Sequence, residues 1–104
     1  MAFDSSYTVT DGVAHVTLTG ELDASSAGKF KTAIEEVSAQ KPTRLVLHMK
    51  DLSFMASAGL RVLVFAKQKM GSGVDIYVVG CQPPVKSTLQ MSGFHHSVYL
   101  QDTY

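Results

Sequence analysis

The sequence has no tryptophan, one cysteine, three prolines and no excess of either charge. Each shortage excludes something. A lone thiol, Cys81, cannot close an internal disulfide, so the chain is not a disulfide-stapled secreted scaffold and a reducing cytoplasm is its expected home. Nine Lys and Arg balance nine Asp and Glu and form no basic run. This argues against nucleic-acid or membrane-surface binding driven by clustered positive charge. No apolar stretch approaches the roughly twenty residues that cross a bilayer. The opening Met-Ala-Phe-Asp lacks the basic and apolar regions of a secretory leader. Repeats, linkers and low-complexity segments are missing too. At 104 residues, the expectation is a single domain over 1–104 with one modest core.

What is present is clear periodicity. Tyr7 and Val9 alternate with Ser6, Thr8 and Thr10, the period of a half-buried strand. Asp11-Gly12 signals a two-residue hairpin turn, and a second strand runs from Val13 to Thr19. Ala14, Val16 and Leu18 share one face of it, while His15, Thr17 and Thr19 share a wet face, so the sheet is covered on one side at this edge. The period then changes. Phe30, Ala33, Ile34 and Val37 recur at helical spacing, with Ser25 or Ser26 as the cap and Pro42 closing the loop behind. Leu45-Val46-Leu47 reads as an interior parallel strand. A second helix runs from about Ala58 to Met70 and stops at Gly71-Ser72-Gly73. Ile76 to Val79 forms another interior strand. Pro83-Pro84 opens a third helix with Val85 and Leu89 inward and Gly93 at its end, and Val98-Tyr99-Leu100 adds an edge strand. A hairpin followed by strand–helix repeats predicts an α/β domain: one mixed sheet, antiparallel at first and then parallel, with helices mainly on one face.

Leu52-Ser53-Phe54-Met55-Ala56-Ser57-Ala58-Gly59-Leu60 places a hydroxyl where an apolar segment turns into a helix. Ser57 is read as an N-cap there, and the same helix start would welcome a phosphate on it. The helix beyond is apolar on more than one side. If Leu60, Leu63 and Val64 pack on the sheet, Val62 and Phe65 lie either under a neighbouring helix or on a partner-binding face. Met55, beside Ser57, fills the core or serves an adaptable interface, and Met70 and Met91 read as core filling.

Catalytic readings have less to stand on. Ser57 as a hydrolase nucleophile needs a base and oxyanion donors, and Ala56-Ser57-Ala58-Gly59 is not the Gly-x-Ser-x-Gly elbow. His48, at the end of a predicted strand, is the one candidate base. Adjacent His95 and His96 lack further ligands at metal-binding spacing, Cys81 reads as a small buried hydrophobe, and no glycine-rich phosphate loop exists. No cofactor or metal is implied.

Gly20-Glu21-Leu22-Asp23, the strand Leu45-Val46-Leu47, the run Leu52 to Leu60 and the final Gly93-Phe94 together resemble the STAS domain, and more narrowly the bacterial anti-sigma factor antagonists. The resemblance implies a non-enzymatic protein that binds an anti-sigma factor serine kinase and is released when that kinase phosphorylates the motif serine, here Ser57. A PP2C-like phosphatase resets such a cycle. Asp23, Met55, Ala56, Ser57, Ala58, Arg61, Val62 and Phe65 are then the expected partner-binding residues. Arg61, four residues beyond Ser57 on the same side of the helix, is placed to pair with the phosphate. Two positions depart from the family pattern: Ala56 stands where Asp is usual before the serine, and His48 where the strand often ends in Asp or Asn. These departures admit a second reading, a constitutive STAS-type interaction module that phosphorylation does not control.

Overall fold

The computed structural model describes residues 2–71 and 73–104. The alternating start of the chain forms an antiparallel hairpin of β1 (Asp4–Thr10) and β2 (Val13–Leu22). Asp11 and Gly12 turn it with φ of 53° and 80°, the positive values that a tight hairpin turn demands. Next come α1 (Ala27–Ala39), β3 (Arg44–Met55), α2 (Ser57–Met70), β4 (Asp75–Val79), α3 (Pro83–Ser92), a single 3₁₀ turn over Phe94–His96, and β5 (Tyr99–Gln101). Strand order in the sheet is β1-β2-β3-β4-β5, and every pairing after the hairpin is parallel. The expected α/β architecture is therefore the observed one.

Period 2 on the strands and period 3.6 on the helices meet in one core. Ala14, Val16 and Leu18 of β2, Leu45 and Leu47 of β3, and Ile76 and Val78 of β4 are buried against Phe30, Ile34 and Val37 of α1, Leu63 and Ala66 of α2, and Val85 and Leu89 of α3. The helices thus lie on one face of the sheet, and Thr8, Thr17 and Tyr99 remain exposed on the other. Ser72, read with its glycine neighbours as the stop after the second helix, lies outside the described residues. Gly93 ends α3 with φ 79°, as read from the sequence. Met91, by contrast, is 86% exposed; it lies two residues past the inward Leu89, on the opposite side of α3, so it does not fill the core.

β3 is much longer than the short apolar run that announces it. Its register on β2 slips between Thr17 and Thr19 and again between Gly20 and Glu21, each slip inserting one extra residue in β3. The inward residues after Leu47 and Met49 are consequently Leu52 and Met55, spaced by three instead of two. That spacing makes 52–55 look like a loop in the sequence, yet these residues are strand. Gly20 sits at the second slip with φ 86°, and a side chain there would run into the Ala2 carbonyl. Its own carbonyl accepts a hydrogen bond from the Ser53 hydroxyl at 3.1 Å. Gly20→Ala is expected to cost about 1–3 kcal/mol from backbone strain alone. Urea unfolding checks this: the midpoint should fall with an unchanged slope, and an unaltered midpoint would show that the β2–β3 bulge tolerates a side chain.

Candidate functional site: the start of the second helix

Because β3 continues to Met55, it reaches the same end of the sheet as β2. Leu22 pairs with Met55, and the Ala56 amide donates to the Leu22 carbonyl at 2.8 Å. Two loops therefore leave the sheet side by side, one through Asp23 into α1 and one through Ala56 into α2. The start of α2 is pressed onto this end. A side chain at Gly59 would lie 2.6 Å from Leu22 Cγ, so glycine is what lets the helix sit so close to β2.

Ser57 is not the cap. It is the first residue of the helix, and Ala56, extended at φ −81° and ψ 168°, holds the N-cap position. The Ala56 carbonyl accepts from the Gly59 and Leu60 amides at 3.0 and 3.2 Å, which fixes the helix start one residue earlier than the sequence suggests. Alanine has no side-chain acceptor to return to the first turn. Among the described residues, no hydrogen bond engages the Ser57 hydroxyl, the Ser57 amide or the Ala58 amide. The hydroxyl is exposed, and two donors at the positive end of the helix dipole stand open beside it. Arg61 is exposed on the same side, with no ion pair among the described residues.

One oxygen of the Asp23 carboxylate is engaged by its own turn. This Oδ1 accepts from the Ser25 hydroxyl at 2.7 Å, the Ser25 amide at 3.1 Å, the Ser26 amide at 3.0 Å and the Ser26 hydroxyl at 3.0 Å. The Ser26 hydroxyl in return accepts from the Asp23 amide at 2.9 Å. Ser26 stands at the N-cap of α1 as read, but its side chain makes no cap bond to the helix. The bonds from Ser25, then from Ser26, hold the Asp23 carboxyl below its usual range. It rigidifies the loop beside Ser57.

Of the expected partner-binding residues, the structure gathers Asp23, Ala56, Ser57, Ala58 and Arg61 at this end of the sheet. It withdraws Val62 and Met55 from any surface, at 6% and 2% exposed. The helix is rotated from the orientation assumed in the sequence. Val62, Leu63 and Ala66 turn inward, and α2 packs along α1. Phe65 is half-buried under the Lys31 ammonium, which lies 4.9 Å from its ring. The exposed apolar positions are instead Val64, with Leu60 partly covered; they line a groove with Lys67, Gln68, Gly93 and Phe94. Phe54, 45% exposed ahead of Ala56, was also missed, because the bulges that turn it outward are invisible to a two-residue period.

The hydrolase reading fails on geometry. His48 lies within β3, not at its end, and its Nε2 faces His15 Nδ1 at 2.9 Å on the helix-free side of the sheet. Among the described residues, no base is hydrogen-bonded to the Ser57 hydroxyl. Cys81 is half-buried with Sγ 3.8 Å from Met49 Sδ, and burial pushes its thiol up to about 11, the behaviour of a hydrophobe. Among the described residues, no group of three or more His, Cys, Asp or Glu is arranged to hold a metal, and no helix is long and apolar enough to cross a membrane.

A hairpin-led mixed sheet with helices on one face and a helix start displayed at the ends of β2 and β3 is the architecture of a small STAS-type α/β domain. The chain belongs to the STAS domain family, whose family model matches residues 5–104. It is 32% identical over 107 residues to the anti-sigma-F factor antagonist RsfB of Mycobacterium tuberculosis, covering 99% of this chain and 88% of that protein. The crystal structure of an anti-sigma factor antagonist from Mycobacterium paratuberculosis superposes with a TM-score of 0.91 at 27% identity, covering 98% of this chain and 87% of that one. The anti-sigma factor antagonist SpoIIAA in its unphosphorylated form shares the fold, with a TM-score of 0.82 at 24% identity over 99% of this chain and 89% of its own.

Two predictions arise from this geometry. Ala56→Asp supplies the missing cap acceptor and should raise stability by about 0.5–2 kcal/mol, read as a higher urea midpoint; no gain would mean that the first-turn amides are already satisfied. For Asp23, the folded carboxyl titrates below its ordinary 3.8. Its contribution is therefore present above that value and lost as pH falls through the folded one. Thermal midpoints followed through this acid window should fall more steeply for the native protein than for Asp23→Asn, and parallel curves would refute the assignment.

Proposed function

We propose that this chain is a cytoplasmic anti-sigma factor antagonist, acting as one STAS-type module that binds an anti-sigma factor serine kinase and is released when Ser57 is phosphorylated. One observation carries the reading. Ser57 presents an exposed, unbonded hydroxyl at the first position of α2, beside two open amides and on the same side as Arg61. A kinase needs such a hydroxyl, and the product phosphate finds donors already in place. RsfB, at 32% identity, supports the antagonist role.

Magnitudes decide how the switch acts. A phosphoserine carries about −1.5 to −2 charges near neutral pH. At the N-terminus of α2 it gains about 0.3–1 kcal/mol from the helix dipole. Enclosed in a protein interface without a counter-charge, it costs several kcal/mol. The interface term is the larger, so modification expels the partner and leaves the domain folded. Apolar contact comes from Leu60 and Val64 along the exposed side of α2. A PP2C-like phosphatase then returns the serine to its binding form.

The test is phosphoryl transfer. With ATP and the cognate anti-sigma factor, the native chain should gain one phosphoryl group by mass and lose the complex in size-exclusion chromatography. Ser57→Ala should bind and gain none. Binding without transfer would instead favour the constitutive module, a reading that Ala56 supports because alanine offers the kinase no carboxylate next to the target.

A further inference from the structure

The helix-free face of the sheet carries a second arrangement, remote from the Ser57 site and unused by it. Thr8, His15, Val46, Tyr77 and Tyr99 are successive register partners in one row across all five strands. Val46 is 0% exposed, although no helix lies over it. Tyr104 reaches across this stretch of the row. Its ring meets His15 edge-on at 5.7 Å and Tyr77 edge-on at 5.3 Å, and these two residues are the neighbours of Val46 in the row. The Tyr104 hydroxyl accepts a hydrogen bond from Arg44 Nη1 at 2.8 Å, and the Arg44 guanidinium lies 4.9 Å from the Tyr77 ring. Tyr104 is thus a strap from beyond β5 back over β3.

His15, one of its two edge partners, is not free to move. Its Nδ1 lies 2.9 Å from His48 Nε2. The rings are inclined by only 19° with centroids 5.2 Å apart, a separation equal to that contact plus the two ring radii. The imidazoles therefore meet end to end, the geometry of an in-plane N–H···N hydrogen bond. Such a contact needs one proton between the two nitrogens and has no room for two. The surroundings offer a second charge little help. Tyr7 of β1 and Lys50 and Asp51 of β3 border the same depression, and Arg44, with Asp75 acting on it, stands behind Tyr77 and Tyr104. These cations and carboxylates balance, so what disfavours a further positive charge at the centre is the first imidazolium itself and the partial burial of His48.

We propose that His15 and His48 share one proton as a latch that holds Tyr104 closed over Val46, and that a second proton opens it. Two imidazolium rings repel, His15 swings from His48, and Tyr104 loses one of the two edges that seat it. Val46 and Tyr77 then form an uncovered apolar patch on a face that the kinase-binding end does not reach. The direction of proton affinity agrees: burial, and then the charge of His15, hold His48 below the ordinary histidine value of 6.5. A histidine depressed on folding contributes stability above its unfolded value, and that contribution is lost as pH falls through the folded one.

An NMR titration of the full chain across the histidine range tests the latch. The two imidazoles should protonate in two steps separated by more than about one pH unit. The Tyr104 ring and Val46 methyl signals should move with the more acidic step. In His48→Gln, His15 should titrate in a single step and Tyr104 should no longer follow it. Independent single-step titration of both histidines in the native chain, a Tyr104 ring indifferent to the second step, or a Tyr104 that still follows pH in His48→Gln would each overturn the proposal.

Discussion

The parallel pairing of β2 with β3, carried past two bulges to Leu22 and Met55, is the constraint on which the candidate site depends. If β3 ended at the short apolar run that the sequence displays, the chain would leave the sheet before the level of Asp23, and α2 would begin elsewhere. Each extra residue in β3 lets the strand bend without losing its partner. The Ala56 amide then closes on the Leu22 carbonyl, and Gly59 allows the first turn of α2 to rest on the Leu22 side chain. Position, orientation and exposure of Ser57 all follow from that contact.

Given this frame, the chemistry at the site is set by what is left open. Asp23 turns its Oδ1 to Ser25 and Ser26 and stiffens its own loop. Ala56 occupies a cap position without capping. The result is a helix start with open amides, beside a hydroxyl that no described neighbour engages. A phosphate placed there meets partners and displaces none. That separates two properties which a less exposed serine would couple: the stability of the domain and its availability to a partner. The proposed signalling by expulsion needs this separation, because an antagonist that unfolded on modification could not be recycled.

Much of the fold was legible because its signals are local. Asp11-Gly12, the alternation in β2, the helical spacing of Phe30 to Val37, and the Pro83 and Gly93 limits of α3 act over a few residues, and each appears where it was read. The features that were not legible are tertiary. Extra residues in β3 disguise strand as loop. Ser57 shifts from cap to first turn because the Ala56 carbonyl, held by the sheet, accepts the first helical bonds. Val62 is buried because α1 lies along α2, which no periodicity within α2 reveals. His48, a candidate base by sequence proximity, belongs to a different face of the sheet from the helices, where register brings it to His15. The Tyr104 strap crosses from the last residue to the third strand and leaves no pattern at all. Family resemblance located the serine; only geometry showed its open amides and removed Met55 and Val62 from the contact surface.

The central claim is that phosphate on Ser57 acts on an interface and not on the fold. Thermal unfolding of the purified phosphoserine protein against the unmodified chain, with backbone amide NMR of both, measures this most directly. The account predicts a midpoint equal to or slightly above that of the unmodified protein, with amide shifts confined to the first turn of α2 and the adjoining Asp23 loop. A clearly lower midpoint, or shifts spread through α1, α3 and the centre of the sheet, would contradict it.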